Sequence, residues 1–219
     1  MIRPLLLGHR GARASRPIPE NTLASFELCL QHGCDGFEFD VRLSADGLAV
    51  ICHDATIGGM EIENTASKSL PLPRLEDVLR QFAHRAFLDI ELKVAGLEPR
   101  TLAELRKHPP QKGYVVSSFL PELLKSIHDL DPAIPLGFLC ETQDQLRGWR
   151  AMPAEWVIPH FRLVDAGLVE QIHAAGKQIM VWTVNRTEDI RQLADLGVDA
   201  IISDETERIT ANFPHLDGR

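Results

Sequence analysis

Short apolar runs alternate with amphipathic stretches along nearly the whole chain. Runs at 4–8, 36–40, 86–92, 114–118, 135–140, 156–159, 178–184 and 199–203 are almost continuously apolar, as expected of strands covered on both faces. Between them the period lengthens to that of a helix. Leu23, Phe26 and Leu30 share one face of a helix that Asn21 or Thr22 opens and Gly33 ends. Thr142 with Gln145 forms a capping box, and Pro121 suits a first helical turn. Asp165 and Thr187 are N-cap candidates, while Gly176 and Gly197 mark helix ends. Eight strands alternating with helices in 219 residues predict an α/β chain, one domain spanning 1–219, folded as a (β/α)8 barrel.

An internal echo supports this order. The segment Gly33-Cys34-Asp35-Gly36-Phe37-Glu38-Phe39-Asp40 resembles Gly197-Val198-Asp199-Ala200-Ile201-Ile202-Ser203-Asp204: helix stop, acidic residue, short strand, terminal Asp. A doubly wound sheet is the rival architecture, but the chain has no GxGxxG or GxxxxGK[ST] phosphate loop. One element breaks the alternation. Asp46-Gly47 lies between two apolar runs with no room for a crossover helix, so strand two should rise above the barrel rim, turn and return. His53 then comes back near Glu38 and Asp40.

Composition changes this picture little. A hydrophobic share of 44% suits a chain with a sizeable core, and no apolar run is long enough to cross a bilayer. The first eight residues read as a strand rather than a signal peptide, and a cytoplasmic location is expected. A net charge of −8 argues against a general nucleic-acid surface. The four cysteines (Cys29, Cys34, Cys52 and Cys140) lack CxxC spacing and read as reduced thiols. Cys52 and His53 are adjacent on a strand, so their side chains should diverge rather than pair.

The chemistry gathers where strands end. Glu38 and Asp40 are two apart on one strand and face the same side, as do Asp89, Glu91 and Lys93 on another. If that side is the barrel interior, the carboxylates need protons or a cation, and an oxygen-only set points to Mg2+ or Ca2+. Arg10, with Gly11 letting the chain turn, offers paired hydrogen bonds to phosphate oxygens, and Lys93 adds a second charge. His9 and His53 suit general acid and base in an in-line displacement at phosphorus. Each histidine alone is a weak signal among nine, but both fall where a barrel carries catalytic groups. Trp182 reads as core or as a substrate wall, and Ser117, with Ser118 and Phe119, as a source of hydroxyls or an apolar contact. Asp204 reads as an N-cap; Glu20 and Asn21 lie between capping and support of the site.

In its motifs the chain resembles the glycerophosphodiester phosphodiesterase family over nearly its full length. The resemblance rests on His9-Arg10-Gly11, Pro19-Glu20-Asn21-Thr22, Glu38-Phe39-Asp40-Val41, Asp46-Gly47 leading to His53-Asp54, and Glu91-Leu92-Lys93. It continues through Ser117-Ser118-Phe119, Val181-Trp182-Thr183-Val184-Asn185 and Ile201-Ile202-Ser203-Asp204. It implies a TIM barrel, one divalent ion (Mg2+ or Ca2+), and hydrolysis of small glycerophosphodiesters to glycerol 3-phosphate and an alcohol. Carried onto this chain, Glu38, Asp40 and Glu91 hold the ion, His9 and His53 form the acid–base pair, and Arg10 and Lys93 bind phosphate. No membrane insertion is implied. The chain departs from the family in one respect: only residues 55–73 separate His53-Asp54 from a helix at 75–82, so the usual cap shrinks to a loop. A lysophospholipase D-like enzyme forming a cyclic phosphate is the near rival, and it should show an apolar or basic patch at the mouth. A non-catalytic phosphoester-binding barrel should have lost a catalytic residue, and a Schiff-base barrel enzyme would want Lys93 desolvated.

Overall fold

A computed structural model describes residues 3–213. In chain order the elements are β1 (Leu5–Gly8), α1 (Leu23–Gln31), β2 (Gly36–Leu43), β3 (Ala49–Ile51), β4 (Thr56–Ile57), β5 (Met60–Glu61), α2 (Leu75–Phe82), β6 (Phe87–Leu92), α3 (Glu98–Lys107) and β7 (Tyr114–Ser118). Then follow α4 (Pro121–Leu130), β8 (Leu136–Cys140), α5 (Gln143–Leu146), β9 (Trp156–Pro159), α6 (Ala166–Ala174), β10 (Gln178–Val181), α7 (Thr187–Leu196), β11 (Ala200–Ser203) and α8 (Thr206–Ala211). Eight parallel strands run β1-β11-β10-β9-β8-β7-β6-β2, and the pairing of β1 with β2 closes them into a (β/α)8 barrel. No helix among the described residues is long and apolar enough to cross a membrane.

Strand alternation divides the buried residues between two cores. Outward side chains pack under the helices, where Phe26, Phe37, Phe39 and Phe82 form an aromatic cluster with Phe26 stacked on Phe37 at 4.3 Å. Inward side chains plug the barrel: Leu7, Phe87, Val115, Leu139, Trp156, Ile158, Met180 and Ile202. β2 and β6 interrupt this apolar filling, because their inward positions toward the C-terminal end carry carboxylates. The echo has a structural counterpart. Asp35 and Asp199 each accept a backbone N–H from the preceding strand of the barrel, of Leu6 and Ile179 respectively, both at 2.8 Å.

β2 runs on past the barrel and pairs antiparallel with β3, Val41 opposite Ile51 and Leu43 opposite Ala49. Asp46 ties the tip of this hairpin down by accepting from Ser67 N and Ser67 Oγ, both at 2.9 Å. The 55–73 segment holds the small β4–β5 ladder and two 3-10 turns, and its Ile62 and Leu70 are buried against Val50.

Local expectations differ from the structure at a few positions. Thr22 alone caps α1, accepting from Ser25 N at 3.2 Å, because Asn21 is turned to other work. Helix α7 is capped by Arg186, not Thr187: the Arg186 carbonyl already accepts the first helical bond, from Ile190. β10 stops at Val181, short of Val184, as the chain leaves the β9 edge and Trp182 keeps only an isolated bridge to His160. Asp204 is not an N-cap; Glu205 precedes α8, and the Asp204 carboxylate is bonded to the His9 imidazole instead. All four cysteines are free, and Cys52 packs with the small cluster around Val50.

Candidate active site

The register between two parallel strands builds the centre of the site. Glu38 pairs with Asp89 and Asp40 with Glu91, so four carboxylates stand together on the inner face of β2 and β6. Oxygens of Glu38, Asp40 and Glu91 lie within 4.8 Å of one another. All four groups are buried, and three of their oxygens (Glu38 Oε1, Asp40 Oδ1 and Asp89 Oδ2) make no hydrogen bond. Burial, reinforced by Asp40 and Glu91, pushes the Glu38 carboxyl well above the ordinary range. Burial likewise raises Asp89 to about 7 and, with Asp40, Glu91 to about 7. Asp40 goes the other way: burial works against its charge, but Lys93, Arg10 and a hydrogen bond from Asn21 outweigh it. Buried carboxylates with unsatisfied oxygens and raised pKa values are the donor set a hard divalent cation fits.

Two cations flank this cluster. Lys93 follows β6, its N–H bonded to the Val41 carbonyl, and its Nζ lies 2.6 Å from Glu91 and 3.3 Å from Asp40. Arg10 sits in the turn after β1 with a left-handed backbone, φ 53°, followed by Gly11 at φ 83°. That turn aims the Arg10 N–H at Glu38 Oε2, 2.9 Å away. The Arg10 guanidinium is 2.7 Å from Glu20 and 3.2 Å from Asp40. Asn21 also adopts a left-handed conformation, φ 57°, which asparagine tolerates. From there its amide donates to Asp40 at 2.8 Å and accepts the Asp40 N–H at 3.3 Å. Glu20 and Asn21 therefore support the site rather than cap α1.

Each histidine is held by an aspartate. His9 begins where β1 ends, its N–H bonded to Ser203 O, and its Nδ1 lies 2.7 Å from Asp204. Asp204 is in turn fixed by Asn185 at 2.7 Å and Arg13 at 3.1 Å. Burial opposes its charge, but His9, Asn185 and Arg13 hold its carboxyl well below the ordinary range. With Nδ1 bound, His9 turns Nε2 inward, 3.9 Å from Glu38. His53, half-buried, pairs through Nδ1 with Asp54 at 2.7 Å, and its carbonyl accepts from Arg42.

His9, Arg10, Glu38, His53, Asp89, Glu91 and Lys93 line one cavity of about 210 Å3, with Trp182 and Phe119 on its wall. Asp40 lies beneath, 1% exposed. Ser117 stands apart: fully buried, it donates to Asp89 at 2.5 Å and does not line the cavity. The sequence reading assigned no site role to Asp204, Asn185 or Arg13. For Asp204 the signal was available in the echo, which places it directly after β11 as Asp40 stands within β2, both strands pairing with β1.

Fold and site together define a TIM-barrel protein with a carboxylate cluster, two imidazoles and two cations at the C-terminal mouth, the face where such barrels carry chemistry. The chain belongs to the glycerophosphoryl diester phosphodiesterase family, whose sequence model matches residues 9–90 and 84–208. A Mycobacterium tuberculosis protein named probable glycerophosphodiester phosphodiesterase 1 is 53% identical, over 89% of this chain and 87% of its own. A glycerophosphodiester phosphodiesterase from Caldanaerobacter subterraneus is 27% identical over 95% of this chain and 97% of its own. Among solved structures, an Oleispira antarctica phosphodiesterase in complex with the product sn-glycerol-3-phosphate superposes with a TM-score of 0.84, at 29% identity over 96% of each chain.

Proposed function

We propose that this chain is a cytoplasmic, divalent-metal-dependent glycerophosphodiester phosphodiesterase, a single barrel domain that releases glycerol 3-phosphate and an alcohol. The observation that carries the reading is the cavity itself, where a carboxylate cluster, two aspartate-held imidazoles and two cations converge. The product named for the Oleispira antarctica relative supports the same substrate class.

Glu38, Asp40 and Glu91 would hold Mg2+ or Ca2+, which when bound neutralises charge on the phosphoryl oxygens. Arg10 and Lys93 bind the non-bridging oxygens and orient phosphorus for in-line attack. Both are held above their ordinary pKa values: burial lowers them, but Asp40 and Glu20 beside Arg10, and Glu91 and Asp40 beside Lys93, prevail. They stay cationic throughout. His9 and His53 divide the proton work, one taking the proton of the attacking water and the other giving one to the departing alkoxide. Asp204 and Asp54 fix the ring orientations, so each Nε2 is free for that transfer. Trp182 walls the substrate, and Ser117 acts beneath the site by holding Asp89. The inward packing of Ile62 and Leu70 supports water-soluble diesters over a lysolipid surface.

The test is release of glycerol 3-phosphate from soluble diesters and lysolipids with Mg2+, Ca2+ or chelator. Metal-dependent release from the soluble diesters is expected, with His9→Ala and His53→Ala each reducing kcat by about 100-fold or more. A cyclic phosphate from lysolipids, or full activity in chelator, would overturn the reading.

A further inference from the structure

One half of the cavity is left idle by the phosphoryl chemistry. Leu139 near the end of β8, Glu141 just beyond it, Phe119 after β7 and Trp182 after β10 form this wall. The Trp182 indole N–H donates to the Ile158 carbonyl at 3.0 Å, so the ring meets the cavity as an apolar surface. It is locked edge-on against Phe119, centroids 5.5 Å apart, and against His160 at 5.4 Å.

Glu141 is the odd charge in this cavity. Each basic group on the wall already has an acidic partner in the protein: Arg10 has Glu20 at 2.7 Å, Lys93 has Glu91 at 2.6 Å, His9 has Asp204 and His53 has Asp54, both at 2.7 Å. The Glu141 carboxylate makes neither a hydrogen bond nor an ion pair among the described residues; only its backbone N–H is engaged, with Gln145 at 2.8 Å. The nearby His160 imidazole is pushed down by burial and Arg162 against the pull of Glu141, and so stays neutral at pH 7. A negative charge beside an aromatic and aliphatic wall asks for a group that is both positive and apolar-surfaced. A neutral polyol would leave hydroxyls facing Leu139 and the Trp182 ring without partners.

We infer that this half of the cavity is a subsite for a quaternary ammonium on the alcohol side of the diester, with Glu141 reading the charge and Trp182 packing the methyl groups. The inference rests on the phosphodiesterase reading above and names its substrate class. Lys93 already lies over the Phe119 ring at 5.9 Å, which leaves Trp182 as the aromatic surface for a second cation.

The experiment compares kcat/KM for glycerophosphocholine with that for glycerophosphoglycerol, in the wild type, Glu141→Gln and Glu141→Lys. Glu141 is exposed, so neither change threatens the fold. The wild type should favour the choline diester. Glu141→Gln should lower the choline-to-glycerol ratio by about tenfold, equivalent to about 1.4 kcal/mol, mainly through KM for the choline diester, and Glu141→Lys should lower it further. An unchanged ratio, including equal losses on both diesters, would overturn the subsite. No turnover of either diester by the wild type would overturn the phosphodiesterase reading, and the subsite with it.

Discussion

Asp204 directly follows β11 and Asp40 lies in β2, the two strands that flank β1, yet the fold sets them to different tasks. Asp40 is surrounded by Lys93, Arg10 and Asn21 and joins the carboxylate cluster, whereas Asp204 meets only donors and becomes the anchor of His9. Asp204→Asn keeps the shape but offers Nδ1 the wrong partner, so kcat should fall by roughly 100-fold while the melting temperature moves little. A variant retaining wild-type kcat would show that His9 needs no such anchor. Asp89 makes a second residue-scale prediction. Its folded pKa of about 7 stands above the ordinary 3.8, so between those values the native state holds a proton that the unfolded chain has lost. Stability from this group is therefore lost as pH rises from the unfolded value through the folded one. In chelator, Asp89→Asn should gain at least about 1 kcal/mol on the wild type at pH 8, with the gain shrinking toward pH 4. Urea midpoints at the two pH values measure it, and a gain equal at both would contradict the raised pKa.

At the scale of elements, two connections turn strands into a site. The β1–α1 turn packs its Gly11 against helix α1 so closely that a Cβ would lie 2.5 Å from Ser25 Oγ and 2.8 Å from Ser25 C. With φ at 83° the position is also strained for any other residue. Gly11→Ala should cost about 2 kcal/mol in urea unfolding and, by displacing the Arg10 N–H from Glu38, lower activity more than the stability loss explains. A variant with native stability would show that the turn relaxes freely. The β2–β3 hairpin is the other connection. Its backbone returns the chain to the mouth, and Arg42 binds the His53 carbonyl at 2.8 Å, so the second histidine is positioned by a strand extension rather than by a barrel strand.

The whole molecule pays in stability for a buried cluster of like charges, and a bound cation should return it. An ion at 100 times its Kd adds about 2.7 kcal/mol to the folded state. Saturating Mg2+ or Ca2+ should thus raise the wild-type melting temperature but not that of a Glu38→Gln/Glu91→Gln double variant. Because Glu38 is shifted upward and Glu91 stands at about 7, binding must displace protons below neutrality. Affinity measured by calorimetry should then weaken as pH falls below about 7, approaching tenfold per unit for one proton released. A pH-independent affinity between 5 and 8 would place the ion elsewhere.

Much of this was legible in the sequence, because strand alternation and helix punctuation are local. The order of strands and helices, the shared face of Glu38 and Asp40, and the return of His53 after Asp46-Gly47 all follow from backbone geometry over a few residues. What only the tertiary structure decided depends on contacts between distant segments. Sequence spacing does not set the β2–β6 register that brings Glu38 beside Asp89, nor the closure of β11 on β1 that carries Asp204 to His9 across 195 positions. The same holds for Ser117, whose hydroxyl could face cavity or core until neighbouring strands were in place, and which the buried Asp89 carboxylate draws inward. Local sequence determines which way each side chain points along its own strand, and barrel closure determines what it meets.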